Sequence, residues 1–325
     1  MGSWRVDAVE LPYGDRRNTW WVDDHGVRLD RPAPDAEQLP GRFVAWGLAD
    51  AHAHPAIAPA AGGPTARDAT ATAAQLAAWA REGIAVVRDV GSPGGVSLDV
   101  AAAPGLPFLT AAGRFLAPAG RYFPELLVDP VEEDELVAAA LAEIGRGARW
   151  VKVIGDFPRV PEFTDPAMTY SLAALTQLCE AAHARGARVA IHATLEEVDA
   201  VVDAGVDSIE HGTGLDEATI VKMAARRVAW TPTLCAAVSL ADDPAAPPDR
   251  RRIANEARER FRELVPMAVR LGVPVLAGTD AVGTIAREVA LRRARARSGR
   301  CVGGGDHRPA RVPRRDPEAR QHRHL

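Results

Sequence analysis

From about residue 43 the chain repeats one unit, a short apolar strand followed by an alanine-rich stretch with helical spacing. Eight strands read at about 43–51, 84–90, 107–113, 149–155, 188–193, 207–211, 229–234 and 274–279. Several are rich in valine and isoleucine, as in IAVVRDV, RWVKVI and RVAIHA. The clearest helical stretches are 67–82, 132–146, 171–185, 196–204, 216–226 and 250–271. Glycines close four of them (Gly83, Gly186, Gly205 and Gly272), as helix C-terminal caps do. Strand–helix alternation is the signature of a parallel sheet clothed by helices. The expected class is therefore α/β, a (β/α)8 barrel of the TIM type, and 325 residues are enough to build one.

Two segments flank this unit. Residues 1–43 read as short strands with turns, a partial β-sandwich, and residues 44–291 as the barrel. After Leu291 the apolar periodicity stops, and 292–325 becomes rich in Arg, Gly and Pro. We expect this tail to be disordered or the product of a shifted reading frame, because it holds too little apolar surface to offset its ordering entropy. A basic tail for an acidic partner is the alternative. Eleven arginines against three acids give the tail +8, which leaves −12 on the rest of a chain whose net charge is −4. An acidic body gives no reason to expect nucleic acid. No apolar run is long enough to span a bilayer, and no secretory signal is expected. Three scattered cysteines, Cys179, Cys235 and Cys301, argue against a disulfide framework and suit a cytoplasmic protein.

The chemistry gathers at strand ends. His52 and His54, in Asp50-Ala-His52-Ala-His54, are two residues apart, so both imidazoles face one side of a strand. Alone such a pair does not establish a metal site. Of nine histidines, however, His192 and His211 also lie at or near the C-terminal ends of predicted strands, the face where barrel enzymes place their catalytic groups. Lys152 lies inside the apolar strand Trp150-Val-Lys-Val-Ile154 of a chain with only two lysines. It either pairs with an acid or does what only an amine can do, adding carbon dioxide to become a carbamate able to bridge two cations. Asp280 ends the strand VPVLAGT, where a carboxylate can ligate a metal and carry a proton from water to a leaving group.

The order His-X-His, Lys, His, His, Asp, together with Val86-Val-Arg-Asp-Val-Gly91, Ser208-Ile-Glu-His-Gly-Thr213, Thr231-Pro-Thr-Leu234 and Ala277-Gly-Thr-Asp-Ala281, resembles the amidohydrolase superfamily. Within it, the wording is similar to the branch of imidazolonepropionase-like proteins and prolidase-like dipeptidases. The resemblance implies two divalent ions, expected to be zinc. His52 and His54 would hold one and His192 and His211 the other, with carboxylated Lys152 bridging them and Asp280 as ligand and catalytic group. Where many relatives carry Thr-Gly-Gly-His after the third strand, this chain has Pro118-Ala-Gly-Arg-Tyr122, so Tyr122 is a candidate substrate-binding residue. Relatives also close their N-terminal β-domain with strands returning from the C-terminus, and none is legible here. Apolar surface on the N-terminal strands and near Ile285 and Val289 is therefore expected to stay partly exposed.

The expected activity is metal-dependent hydrolysis of an amide-like C–N bond in a dipeptide, an acylated amino acid or a cyclic amide. A phosphotriester or lactone hydrolase and a truncated, non-catalytic barrel are the alternatives, and a mononuclear deaminase would have no use for Lys152. The expected partner is a small-molecule substrate, with no nucleic acid and no membrane; a homo-oligomer is compatible with the sequence.

Overall fold

The computed structural model describes residues 2–11, 14–23, 26–28, 32–59, 64–100 and 102–298. The N-terminal part is one sheet, in which β1 (Trp4–Leu11) pairs antiparallel with β2 (Arg17–Asp23), and β2 with β3 (Gly26–Arg28). On its other edge β1 pairs in parallel with β4 (Glu37–Gln38) and β5 (Phe43–Ala45). Val6, Ala8 and Trp20 alternate onto one face of this sheet and form its small core, with Val44 against it. The predicted first barrel strand is thus divided: 43–45 belongs to this sheet, and a separate strand β6 (Leu48–Ala53) follows.

After β6 come a short ladder of β7 (Ile57–Ala58) and β8 (Thr65–Ala66), then α1 (Ala69–Arg81), β9 (Ile84–Asp89) and β10 (Phe108–Ala111). β10, β9 and β6 form one parallel sheet. The second parallel sheet orders β11 (Phe115–Leu116), β12 (Trp150–Ile154), β15 (Arg188–Ala193), β16 (Ser208–His211) and β17 (Ala229–Thr231). Its helices are α2 (Leu136–Gly145), α3 (Leu172–Ala184), α4 (Val198–Asp203) and α5 (Glu217–Arg226), followed by α6 (Leu234–Asp242) and α7 (Pro248–Leu271). A hairpin of β13 (Asp156–Arg159) and β14 (Thr164–Met168), not anticipated from sequence, stands on the C-terminal end of β12. The expected capping glycines at 83, 186, 205 and 272 all have positive φ, between 71° and 99°.

Three predicted strands change shape. The third, 107–113, becomes β10 and β11 with a bend at Gly113 (φ 78°), pairing first with β9 and then with β12. The seventh, 229–234, stops at Thr231 because Thr233 turns left-handed (φ 44°) and starts α6. The eighth, 274–279, is no regular strand. Bridges join Val275 to Trp230 of β17 and Asp280 to Ala53 of β6, while the Ala51 N–H donates to the Ala277 carbonyl at 2.8 Å.

The main core fills the space between the second sheet and α2 to α5 and α7, with Leu175, Leu178, Ile209 and Phe261 fully buried. The expected exposure of the barrel flank is corrected at Ile285, which is only 3% exposed. The last helix, α8 (Ile285–Ser298), folds back so that Ile285 completes a cluster with Leu76, Ile84 and Val87. That helix runs past Leu291, where the sequence loses its periodicity, and the rest of the tail, 299–325, lies outside the described residues. On the N-terminal strands Leu11 is exposed (41%), as expected, whereas Val6 and Trp20 are buried; Phe43 (58%) and Trp46 (67%), read as part of the first barrel strand, are exposed too.

Glu288 of α8, fully buried, accepts from the N–H groups of Leu234 (3.1 Å) and Cys235 (2.8 Å) and so caps α6, which has no cap of its own. A buried donor left unpaired costs about 1–3 kcal/mol. Glu288→Ala should therefore lower the thermal midpoint by roughly 2–8 °C. An unchanged midpoint would show that α6 does not depend on this cap.

Candidate metal centre

His52 lies in β6 and His54 just beyond it, His192 in β15, His211 at the end of β16, and Asp280 after the eighth strand segment. All are at the C-terminal ends of parallel strands, and the structure brings them together. The rings of His52 and His54 are 5.2 Å apart, those of His52 and His211 4.9 Å, and those of His192 and His211 4.6 Å. Asp280 Oδ1 is 3.6 Å from His54 Nε2. Ligand atoms of His52, His211 and Asp280 lie within 4.8 Å of one another, a triple that draws one histidine from each of the two expected pairs. Lys152, 2% exposed, sits in the middle of β12 and is coupled by charge to Glu210 and Asp280. Tyr122 is buried against Phe115 and Phe157.

The backbone is bent to achieve this. His211 (φ 68°) and Asp280 (φ 58°) hold left-handed conformations that cost a side-chain-bearing residue energy, and such outliers collect where function demands an orientation. Space is equally tight: a side chain at Gly278 would run into His52 and Thr231.

Three of the four imidazoles are held from behind. His52 Nδ1 faces Glu210 Oε2 at 2.6 Å, and His54 Nδ1 faces the Gly91 carbonyl at 2.8 Å. Both partners only accept, so Nδ1 carries the proton in each ring and Nε2 keeps its lone pair for a metal. His211 Nδ1 meets Thr233 Oγ1 at 2.8 Å. Glu210 is itself anchored by Arg88 Nη2 at 2.7 Å and by the Ser208 hydroxyl at 2.6 Å. Arg88 also donates to Thr231 Oγ1 at 3.1 Å and to the Ala51 carbonyl, and stacks over Trp150 at 4.5 Å. Asp50 accepts from the Thr279 hydroxyl (2.6 Å) and the His52 N–H (3.2 Å), tying the first strand to the eighth. Asp156 accepts from Thr194 Oγ1 at 2.5 Å and stands 3.9 Å from His192 Nε2.

Burial and charge set the protonation states. Burial lowers His54 to about 4 and holds His192 and His211 well below the usual imidazole range, so these three are neutral at pH 7. Burial alone would raise Asp280, but electrostatic coupling to the His52, His211, His54 and Lys152 side chains outweighs it and brings it to about 2. Burial would likewise raise Glu210, and Arg88 and His52 hold it well below the ordinary carboxylate range. Lys152 is pushed down to about 8 by burial, against the pull of Glu210 and Asp280. Its Nζ has no hydrogen-bond partner among the described residues. Burial also raises Asp89 to about 7, although Ser97, Ser92 and Lys152 oppose the rise.

Arg88, Glu210, Asp50 and Asp156 were not among the candidates read from sequence. Their signal was present in three cases, since a charge inside VVRDVG, SIEHG or the Asp50-Ala-His motif has to find a buried partner. Asp156 had no such signal, because its role depends on the unforeseen hairpin.

Comparison with known proteins gives the family. Residues 43–311 match the profile of the amidohydrolase family. An uncharacterized protein of Mycobacterium tuberculosis (strain H37Rv) is 33% identical over 270 residues, which cover 82% of this chain and 71% of that one. Among solved structures, a Xaa-Pro dipeptidase with bound methionine superposes with a TM-score of 0.72 at 22% identity, covering 90% of this chain and 84% of the other. The ochratoxinase of A. niger gives 0.71 at 19% identity, covering 91% and 80%. At these identities the two structures speak for the fold.

The low Lys152 value has a checkable consequence. The folded protein binds this proton less tightly than the unfolded chain, whose lysine keeps the ordinary value of 10.5. Protonation therefore opposes folding fully below about pH 8, and the cost fades as pH rises from about 8 to 10.5. In chelator-treated protein, the thermal midpoint of the native chain should rise relative to that of Lys152→Met across this window. A constant difference would show that the buried amine is stabilised as a cation.

Proposed function

The chain belongs to the amidohydrolase family, and we propose that it hydrolyses an amide-like C–N bond at a centre built for two divalent cations. We read the two parallel sheets and the 273–280 segment as one (β/α)8 barrel. Backbone pairing passes from β9 through the bent third strand to β12, and from β17 through Val275 and Asp280 to β6, which supports that reading.

The observation that carries the proposal is the Lys152 amine, buried, without a hydrogen-bond partner among the described residues, and electrostatically coupled to His54, His192 and His211. A cation there without a hydrogen bond is costly. A neutral amine that takes up carbon dioxide and releases a proton to solvent becomes an anionic oxygen donor facing the same space, which resolves the cost once metal ions are present. The donor set fits zinc-type ions: His52, His54, His192, His211, the Lys152 carbamate and Asp280 supply nitrogen and oxygen ligands. When bound, such cations supply Lewis acidity, acidifying water and polarising the scissile carbonyl. Asp280, ionised at pH 7, takes the proton that the attacking water loses and passes it to the departing nitrogen. Glu210, gripped by Arg88, keeps the Nε2 atom of His52 aimed inward throughout. A cytoplasmic setting suits the free thiols of Cys179 and Cys235.

The test is a substrate panel of N-acyl amino acids, dipeptides and a cyclic amide beside a lactone and a phosphotriester. Turnover is expected in the C–N group, to be abolished by chelation and restored by zinc. Lys152→Arg keeps a cation but no nucleophilic amine, and should lose more activity than the roughly 10–100-fold that removing an outer partner of a metal ligand costs. Turnover of the lactone or phosphotriester alone, or full activity in Lys152→Arg, would refute the proposal.

A further inference from the structure

The four imidazoles belong to a closed ring of seven aromatic groups. From His54 the ring passes to Phe115 (5.6 Å between centroids), Tyr122 (4.8 Å) and Phe157 (5.1 Å), then to His192 (5.7 Å). His211 and His52 close it. One arc is made of nitrogen ligands, while the opposite arc is hydrocarbon, with the Tyr122 hydroxyl as its one polar side-chain group. Burial and the charge of Asp280 raise that phenol, so it stays a neutral hydrogen-bond donor.

The hydrocarbon arc continues outward. Phe123 packs edge-on against both Tyr122 and Phe157 (5.3 Å each), and Phe163 follows at 5.9 Å from Phe123. Phe163 is 37% exposed, its backbone is left-handed (φ 57°), and Arg250 of α7 sits 5.0 Å over its ring. Aromatic contacts thus run from the part-exposed Phe163 through Phe123 to the buried Phe157, Tyr122 and Phe115 beside the histidines, and four of the chain's seven phenylalanines lie along them. The cation on this arc, Arg250, lies at its outer end over Phe163.

Resting on the hydrolase reading above, we propose that this arc is the subsite for a flat, apolar group adjoining the scissile C–N bond, so that the substrate class is aromatic amides rather than small aliphatic or charged ones. Ring-on-ring contact favours an aromatic group over an aliphatic one of similar area. Tyr122 donates a hydrogen bond to the polar end of that group.

The test compares N-benzoylglycine and N-acetylphenylalanine with N-acetylglycine on the zinc-loaded full chain, beside direct binding of benzoate and acetate by calorimetry. At least one aromatic amide should exceed N-acetylglycine in kcat/KM by about tenfold or more, and benzoate should bind tighter than acetate by a similar factor. Phe157→Leu, which keeps an apolar side chain, should shrink both ratios. Should no amide turn over, the hydrolase reading fails while benzoate selectivity lost in Phe157→Leu still upholds the subsite. Equal binding of benzoate and acetate, or ratios unmoved by Phe157→Leu, overturns it.

Discussion

Arg88 and Glu210 meet at 2.7 Å, almost wholly shut off from water, and the geometry of the site hangs on that pair. Arg88 comes from β9 in one parallel sheet and Glu210 from β16 in the other, so the bond ties the two sheets together. Through its remaining donors Arg88 also holds the Ala51 carbonyl of β6 and Thr231 of β17. Breaking such a buried pair from one side leaves an uncompensated charge, which is far more costly than the pair is stabilising. The pair therefore acts as a register pin. It places the glutamate where His52 needs an acceptor and thereby decides which ring nitrogen faces inward.

Behind this pin the structure keeps several energetic debts in one place. His211, Thr233 and Asp280 are all left-handed, and Thr233 both accepts its strain and meets His211 Nδ1. The Lys152 amine is buried with no hydrogen-bond partner among the described residues, and Asp89 is raised to about 7 by its own burial. Packing elsewhere sustains these costs: the main core is dense with fully buried aliphatic side chains, and α8 braces the far side through Ile285 and Glu288. Local cost supported by global packing is the usual mark of a working site.

The histidines and Lys152 were legible because chemistry-bearing residues in apolar strands stand out, and because strand ends in a parallel sheet share one face. The same logic reached Asp280. It did not reach Glu210, although SIEHG displays it, since sequence shows that a charge is buried but not which charge answers it. The strand at 229–234 was overread because the apolar run continues into α6, and only the left-handed Thr233 marks the break. The eighth strand was expected to be regular, yet it touches its neighbours through a few bonds around Val275 and Asp280. The aromatic arc was the least visible feature. Tyr122 was noted, but Phe115, Phe157 and Phe163 come from β11, β13 and the turn between β13 and β14, and nothing in their spacing announces that they converge.

The central claim is that the unpartnered amine of Lys152 is carboxylated and completes the metal site. Carbon-13 NMR of protein loaded with zinc and labelled bicarbonate tests it without reference to any substrate. The account predicts one slowly exchanging carbamate resonance in the native chain, absent from Lys152→Arg. A native chain that binds zinc fully yet shows no carbamate signal would contradict it.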